Sequence, residues 1–345
     1  MPRLRALADA GGEAPDGGRC DLPSVTYPCH ATMLTGRLTR HHGVRTNRAA
    51  APHPGVVPGW AGEPGVTTPT LLDRCRDAGL RSAAILGDFK LYGILHAETA
   101  DLVWPTQGVV PPSTPVCAHG YPTNAAVRPH LLAAIDDPTL AFVFGHLNEP
   151  DTCGHRLGPD HPDTIASYTA TDQLIGEVID RLANDWTRTV LIVLSDHGME
   201  PAPHGPSINL PAHAGFRDHV ADHIDEGGTA LVRLKPGSDP TAAGVALVAI
   251  PGVVRWEAIG PEMLLLEAAP GEIFATGPSK SLRGVHGGSG TTRTTAVVGG
   301  GHPAVAIIAA AMQPQPPHLA DWAPTIAPLL DLPPTATDGR NLALG

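Results

Sequence analysis

Thr26, Asp151, His155, Asp196, His197 and His286 are the residues of this chain best equipped to do chemistry. They sit in four short polar segments: T-Y-P-C-H at 26–30, E-P-D-T-C-G-H at 149–155, S-D-H-G at 195–198 and V-H-G-G at 285–288. Together they offer one hydroxyl nucleophile and five side chains of the types that bind divalent cations. Carboxylates and neutral imidazoles are ordinary ligands for zinc and its neighbours. Two of the segments directly follow buried-strand patterns. In an open α/β sheet, active sites assemble at the carboxyl ends of strands. The combination points to a two-metal enzyme acting on a phosphorus ester.

Each segment taken alone has a plainer reading. Asp151 and His155, four apart around Gly154, could be a helix-capping carboxylate and a surface imidazole. Asp196-His197 follows T-V-L-I-V-L-S, a run apolar enough to be buried, so polar groups at its end need partners. An Asx turn closing that strand is the alternative. His286 is a weak signal alone, although Gly287 and Gly288 let the backbone approach a ligand closely. Thr26 lies in P-S-V-T-Y-P-C-H-A-T-M-L-T-G, at a strand-to-helix turn. There its oxygen sits at a helix N-terminus, which favours anions. A threonine needs activation before it attacks anything, and contact with a metal can supply it.

The elements that must position these groups alternate along the chain. Helical patterns are expected at 3–10, 30–36, 69–78, 124–136 and 162–183, with a cap-plus-proline start at Thr68-Pro69 and a stop at Gly79. Strands are expected at 81–86, 140–145 and 189–194. This alternation implies an α/β fold with a mostly parallel sheet covered on both faces. The rhythm breaks at about 205–284. Short strands near 229–234, 245–249 and 263–267 suggest an inserted antiparallel cap within one domain spanning 1–345. The βα pattern resumes with a strand at 305–310 and a helix at 320–331.

Bulk properties exclude several classes. The net charge of −11 leaves no basic stripe for a nucleic acid polymer. An anionic substrate could still bind if metal ions invert the local field. No apolar run is long enough to span a membrane. The start, M-P-R-L-R-A-L-A, has no signal-peptide core, so a cytoplasmic protein is expected. Five cysteines without C-x-x-C spacing are expected to be reduced thiols. Composition is silent on oligomeric state.

In sequence order the motifs resemble the alkaline phosphatase superfamily, specifically its type I phosphodiesterase / nucleotide pyrophosphatase family. The nucleophile motif T-[FY]-P-N-H, then T-G and H-G, stands here as Thr26 to His30, Thr35-Gly36 and His42-Gly43. D-W-A-P-T-I-A-P-L-L-D-L-P-P at 321–334 and D-G-R-N-L at 338–342 resemble the closing helix and tail. The resemblance implies an alkaline-phosphatase-like sheet flanked by helices. It implies two divalent cations, zinc with manganese as the alternative. One would be held by Asp151, His155 and His286, the other by Asp196, His197 and Thr26. It assigns Asn47, after His42-Gly43, to the phosphate. The backbone N–H beside Thr26 is expected to join Asn47 as a donor to a nonbridging oxygen.

Two departures accompany the resemblance. Cys29 replaces the motif's Asn. The family's apolar first strand, ending in a metal-ligating Asp, is absent from these 345 residues. The implied activity is hydrolysis of phosphodiester or pyrophosphate bonds through a covalent threonine intermediate. Two alternatives stay open. Phosphonoacetate hydrolase, a relative that cleaves a C–P bond, also carries a Lys after its second strand; here that is Lys90, which could meet a substrate carboxylate or phosphate. The other alternative is a binding protein with an incomplete metal site. The expected partner is a small phosphoester, pyrophosphate or phosphonate.

Overall fold

The computed structural model describes residues 1–47, 65–202, 207–275 and 282–344. Ten strands organise the description: β1 (Gly12–Glu13), β2 (Ser82–Leu86), β3 (Leu102–Trp104), β4 (Phe142–His146), β5 (Leu191–Leu194), β6 (Val220–Glu226), β7 (Thr229–Leu234), β8 (Val253–Gly260), β9 (Met263–Ala268) and β10 (Ala296–Gly299). β2 runs parallel to both β3 and β4. β10 pairs antiparallel with β1 and with β5. The central sheet therefore consists of a parallel half, β3-β2-β4, and an antiparallel half, β1-β10-β5. Helices pack around them, as the α/β alternation implies.

Among the described residues the two halves do not join: β4 pairs only with β2, and β5 only with β10. β2 and β10 are buried along their whole length, yet Phe142, Val143, Phe144 and all of Leu191-Ile192-Val193-Leu194 are only half-buried. Apolar strands bury fully when both edges and both faces are covered; here one edge of each stays bare.

Helix Thr26–Thr35 lies under the sheet with nine of its ten residues buried. Burial of Leu34 alone is worth roughly 1.5–3 kcal/mol. The helix begins at Thr26 itself, earlier than the expected 30–36, because Val25 is extended and the helical backbone starts on the next residue. Helix Leu71–Asp77 begins later than Thr68-Pro69 suggests. Thr70 and Asp73 form a reciprocal capping box that fixes the start.

The remaining strands form a separate antiparallel sheet, ordered β8-β9-β7-β6, with its own core of Phe216, Leu247, Leu264 and Leu266 among others. Positions 205–206 and 276–281 of the expected cap span lie outside the described residues. Two expected strands are helices. Residues 245–248 fall in helix Pro240–Val248, with Ala249 at its C-cap, and Asp239 caps its start through the amides of Thr241 and Ala242. Residues 305–310 fall in helix Ala304–Ala311. Short Ala- and Val-rich runs have no periodicity that separates a buried strand from a helix.

Candidate active site

Asp151 and His155 are one turn apart on helix Glu149–Leu157, on the same face. His286 follows the two-residue strand Gly284–Val285. The ligand atoms of these three residues all lie within 4.8 Å of one another. His155 Nδ1 donates to the Gly284 carbonyl and His286 Nδ1 to the Ser24 carbonyl, each at 2.9 Å. With Nδ1 of each ring taken up by a carbonyl, the two Nε2 atoms face one another 3.0 Å apart. Burial, then the nearby His197 and His155, holds His286 well below its usual pKa and so neutral. Asp151 Oδ1 is buried without a hydrogen-bond partner, 3.5 Å from His155 Nε2 and 3.7 Å from His286 Nε2. Facing lone pairs and an orphaned carboxylate oxygen suit a cation held between them. The carbonyls that fix the rings are the usual outer support of such a centre.

The second group forms where β5 ends in Ser195-Asp196-His197. Asp196 Oδ2 is 3.3 Å from His197 Nε2 and 3.5 Å from His30 Nδ1. Thr26 Oγ1 is 3.4 Å from His197 Nε2. Burial pushes the Asp196 carboxyl up, but the imidazoles of His197, His30 and His146 outweigh it and hold the pKa below the usual value. The His197 and His286 rings stack with centroids 3.8 Å apart, so the two groups form one site.

Asn47 also reaches the site. Its Oδ1 accepts the Tyr27 N–H at 2.8 Å. This corrects one expectation: the amide beside Thr26 is already engaged. The same bond orients Asn47, because Oδ1 must face Tyr27 and the Nδ2 donor therefore points elsewhere. Lys90 Nζ is 3.2 Å from the Tyr121 hydroxyl and lies over that ring. Beside them Asp88 is pushed up to about 6 by burial, against the opposing pull of the Lys90 N–H and ammonium.

Sequence reasoning missed several neighbours. Ser24 orients His286 through its carbonyl. His146, held by burial down to about 3, packs edge-on against His30, and its Nδ1 accepts the Asp88 N–H. Tyr121 and Asp88 were not singled out either. His30, His146 and Ser24 stood inside or beside quoted motifs; Tyr121 and Asp88 carry no spacing signal.

Residues 1–251 match the family model described as type I phosphodiesterase / nucleotide pyrophosphatase. The chain belongs to this family. It is 25% identical over 261 residues to human ectonucleotide pyrophosphatase/phosphodiesterase family member 7, covering 68% of this chain and 52% of that protein. It is 26% identical over 204 residues to a bovine bis(5'-adenosyl)-triphosphatase, covering 54% and 40%. The chain thus spans about half or less of these relatives. The structure of human ectonucleotide pyrophosphatase/phosphodiesterase 5 superposes with a TM-score of 0.71 at 18% identity, covering 98% of this chain and 91% of that one. That likeness carries the alkaline-phosphatase-like fold expected from the motifs.

Proposed function

We propose that this family member is a metal-dependent hydrolase of phosphodiester or pyrophosphate bonds, with Thr26 as nucleophile. The observation that carries the reading is the stacking of His197 on His286. It brings a threonine hydroxyl close to two groups of side chains of metal-binding types. Divalent cations, zinc or manganese, held by Asp151, His155 and His286 and by Asp196, His197 and Thr26, would supply the positive charge and Lewis acidity that a chain of net charge −11 otherwise lacks.

The chain's own groups divide the remaining work. Thr26 Oγ gives its proton to solvent and bonds to phosphorus while the bond to the leaving oxygen breaks, and that oxygen departs with a proton taken from solvent. Its place in the first turn of a ten-residue helix favours the oxyanion. Water then cleaves the phospho-threonine and restores the hydroxyl. Asn47 Nδ2, turned away from Tyr27, donates to a nonbridging oxygen. Lys90, backed by Tyr121, meets a remote phosphoryl or carboxylate oxygen of the substrate.

A panel of bis(p-nitrophenyl) phosphate, p-nitrophenyl phosphate, a dinucleoside polyphosphate and phosphonoacetate, with zinc or manganese restored to stripped protein, tests this. Diester or pyrophosphate turnover that a chelator abolishes is expected. Turnover indifferent to chelation, or none with metal loaded, overturns it. Preferential cleavage of phosphonoacetate would move the assignment to a C–P hydrolase.

The bare sheet edges beside Asp196 favour one further reading, a binding protein that holds metal without turnover. Metal content separates them: a competent enzyme binds two equivalents, a relic one or none. No helix among the described residues is long and apolar enough to cross a membrane.

A further inference from the structure

We infer that Glu226, at the tip of the antiparallel cap sheet, is a positioning residue that sets Asn47 against the nucleophile helix. The inference rests on the hydrolase reading for its kinetic consequence, but its structural basis stands apart from it.

Glu226 ends β6 and pairs with Thr229 at the start of β7, leaving Gly227-Gly228 as a two-residue turn. The turn presses on the segment that carries His286. The Gly228 N–H donates to the His286 carbonyl at 3.1 Å. A Cβ on Gly227, whose φ is +69°, would stand 2.1 Å from that same carbonyl oxygen. A Cβ on Gly287, at φ +106°, would stand 1.8 Å from the Glu226 carbonyl oxygen. Only glycines on both sides allow this approach. The hairpin tip is therefore docked on the backbone of a candidate metal ligand.

From that anchored position the Glu226 side chain reaches across the site. Its Oε1 accepts the Asn47 N–H at 2.8 Å. Asn47 Oδ1 in turn accepts the Tyr27 N–H at 2.8 Å, one residue from Thr26. A chain of contacts thus runs from the His286 backbone through the cap tip and Asn47 to the first turn of the nucleophile helix. A carboxylate near a pocket meant for anions is unfavourable for ligand binding. A bond to a backbone amide, stronger for the acceptor's charge, offsets that cost by fixing where Asn47 sits. Glu226 acts through Asn47 and does not itself touch the reacting atoms.

The test compares Glu226→Ala, Glu226→Gln, Asn47→Ala and the double variant Asn47→Ala/Glu226→Ala in the full chain with zinc. Glu226→Ala should lower kcat/KM for bis(p-nitrophenyl) phosphate by roughly tenfold or more, mostly in kcat, as loss of an outer support does. Glu226→Gln keeps an acceptor oxygen and should recover to within about threefold of the parent. Asn47→Ala and the double variant should be equally slow, since one residue works through the other. Additive losses, a Gln variant as poor as the Ala variant, or no loss in Glu226→Ala each overturn the inference. Amide exchange at Asn47 and Tyr27 gives a readout independent of turnover. Glu226→Ala should speed both and Glu226→Gln neither; unchanged exchange overturns the inference. A parent protein with no turnover but with the expected exchange pattern sinks the hydrolase reading alone.

Discussion

The two halves of the candidate site are built with different thoroughness. On one side Asp151, His155 and His286 come from two segments, and both imidazoles are locked by backbone carbonyls. The ligand atoms of all three lie close together, and an orphaned carboxylate oxygen among them suits a cation. On the other side Asp196 and His197 are consecutive residues at the end of β5, a strand that pairs only with β10 among the described residues. Their nearest support comes from His30 and from Thr26. A cation centre gains its affinity from fixed ligands. The first side is pre-organised by structure on all flanks, whereas the second borders the interruption of the sheet.

The largest effect expected belongs to the second side. Thr26→Ala should lower kcat by roughly a thousandfold or more, as loss of a nucleophile does. Zinc should still bind at Asp151, His155 and His286, by direct titration. Near-parent rates in this variant would remove Thr26 from the chemistry.

Metal affinity should separate the two sides more sharply. His286→Ala should weaken the tighter of the two zinc equivalents by roughly a hundredfold or more in a competitive chelator titration. Asp196→Asn should weaken only the looser one. Equal responses from both variants would mean that the two groups form a single centre of uniform strength.

A smaller effect should appear in the stability of the metal-free protein. His42, hydrogen-bonded to Thr32, and His146 are each held by burial at about 3, against an ordinary value of 6.5. Both are neutral in the folded state, while the unfolded chain takes up their protons as pH falls below about 6.5. Their contribution is complete above that value and is lost as pH falls toward about 3. Tm should therefore drop between pH 7 and pH 4, and His42→Asn should flatten the slope. A slope unchanged by that substitution would assign the acid sensitivity to other groups.

The subtlest effect concerns the sheet. Amides on the bare edges of β4 and β5 should exchange roughly tenfold or more faster than those of β2 and β10. Matching protection would mean that the edges are covered in solution.

Much of this was legible along the chain because motifs carry their own chemistry. Thr26, Asp151, His155, Asp196, His197 and His286 each stood in a segment whose residue types invite cations or phosphate. Their order matched one family, and the apolar run before Ser195 announced its strand. Elsewhere local pattern misled. The runs at 245–249 and 305–310 are apolar enough for strands, yet the Asp239 cap favours helix in the first and alanine's helix preference favours it in both. Helix Glu149–Leu157 was hidden by the polar residues that make it useful.

The amino-acid sequence by itself determined which groups can do chemistry, the family, and the alternation that builds an α/β sheet. These are encoded in residue type, order and short-range period. The tertiary structure alone decided which nitrogen of each imidazole faces inward, that Asn47 spends its oxygen on Tyr27, and that Glu226 reaches from the cap to hold Asn47. Those outcomes depend on contacts between residues more than a hundred positions apart, or on backbone groups common to every residue, and neither leaves a mark in local sequence.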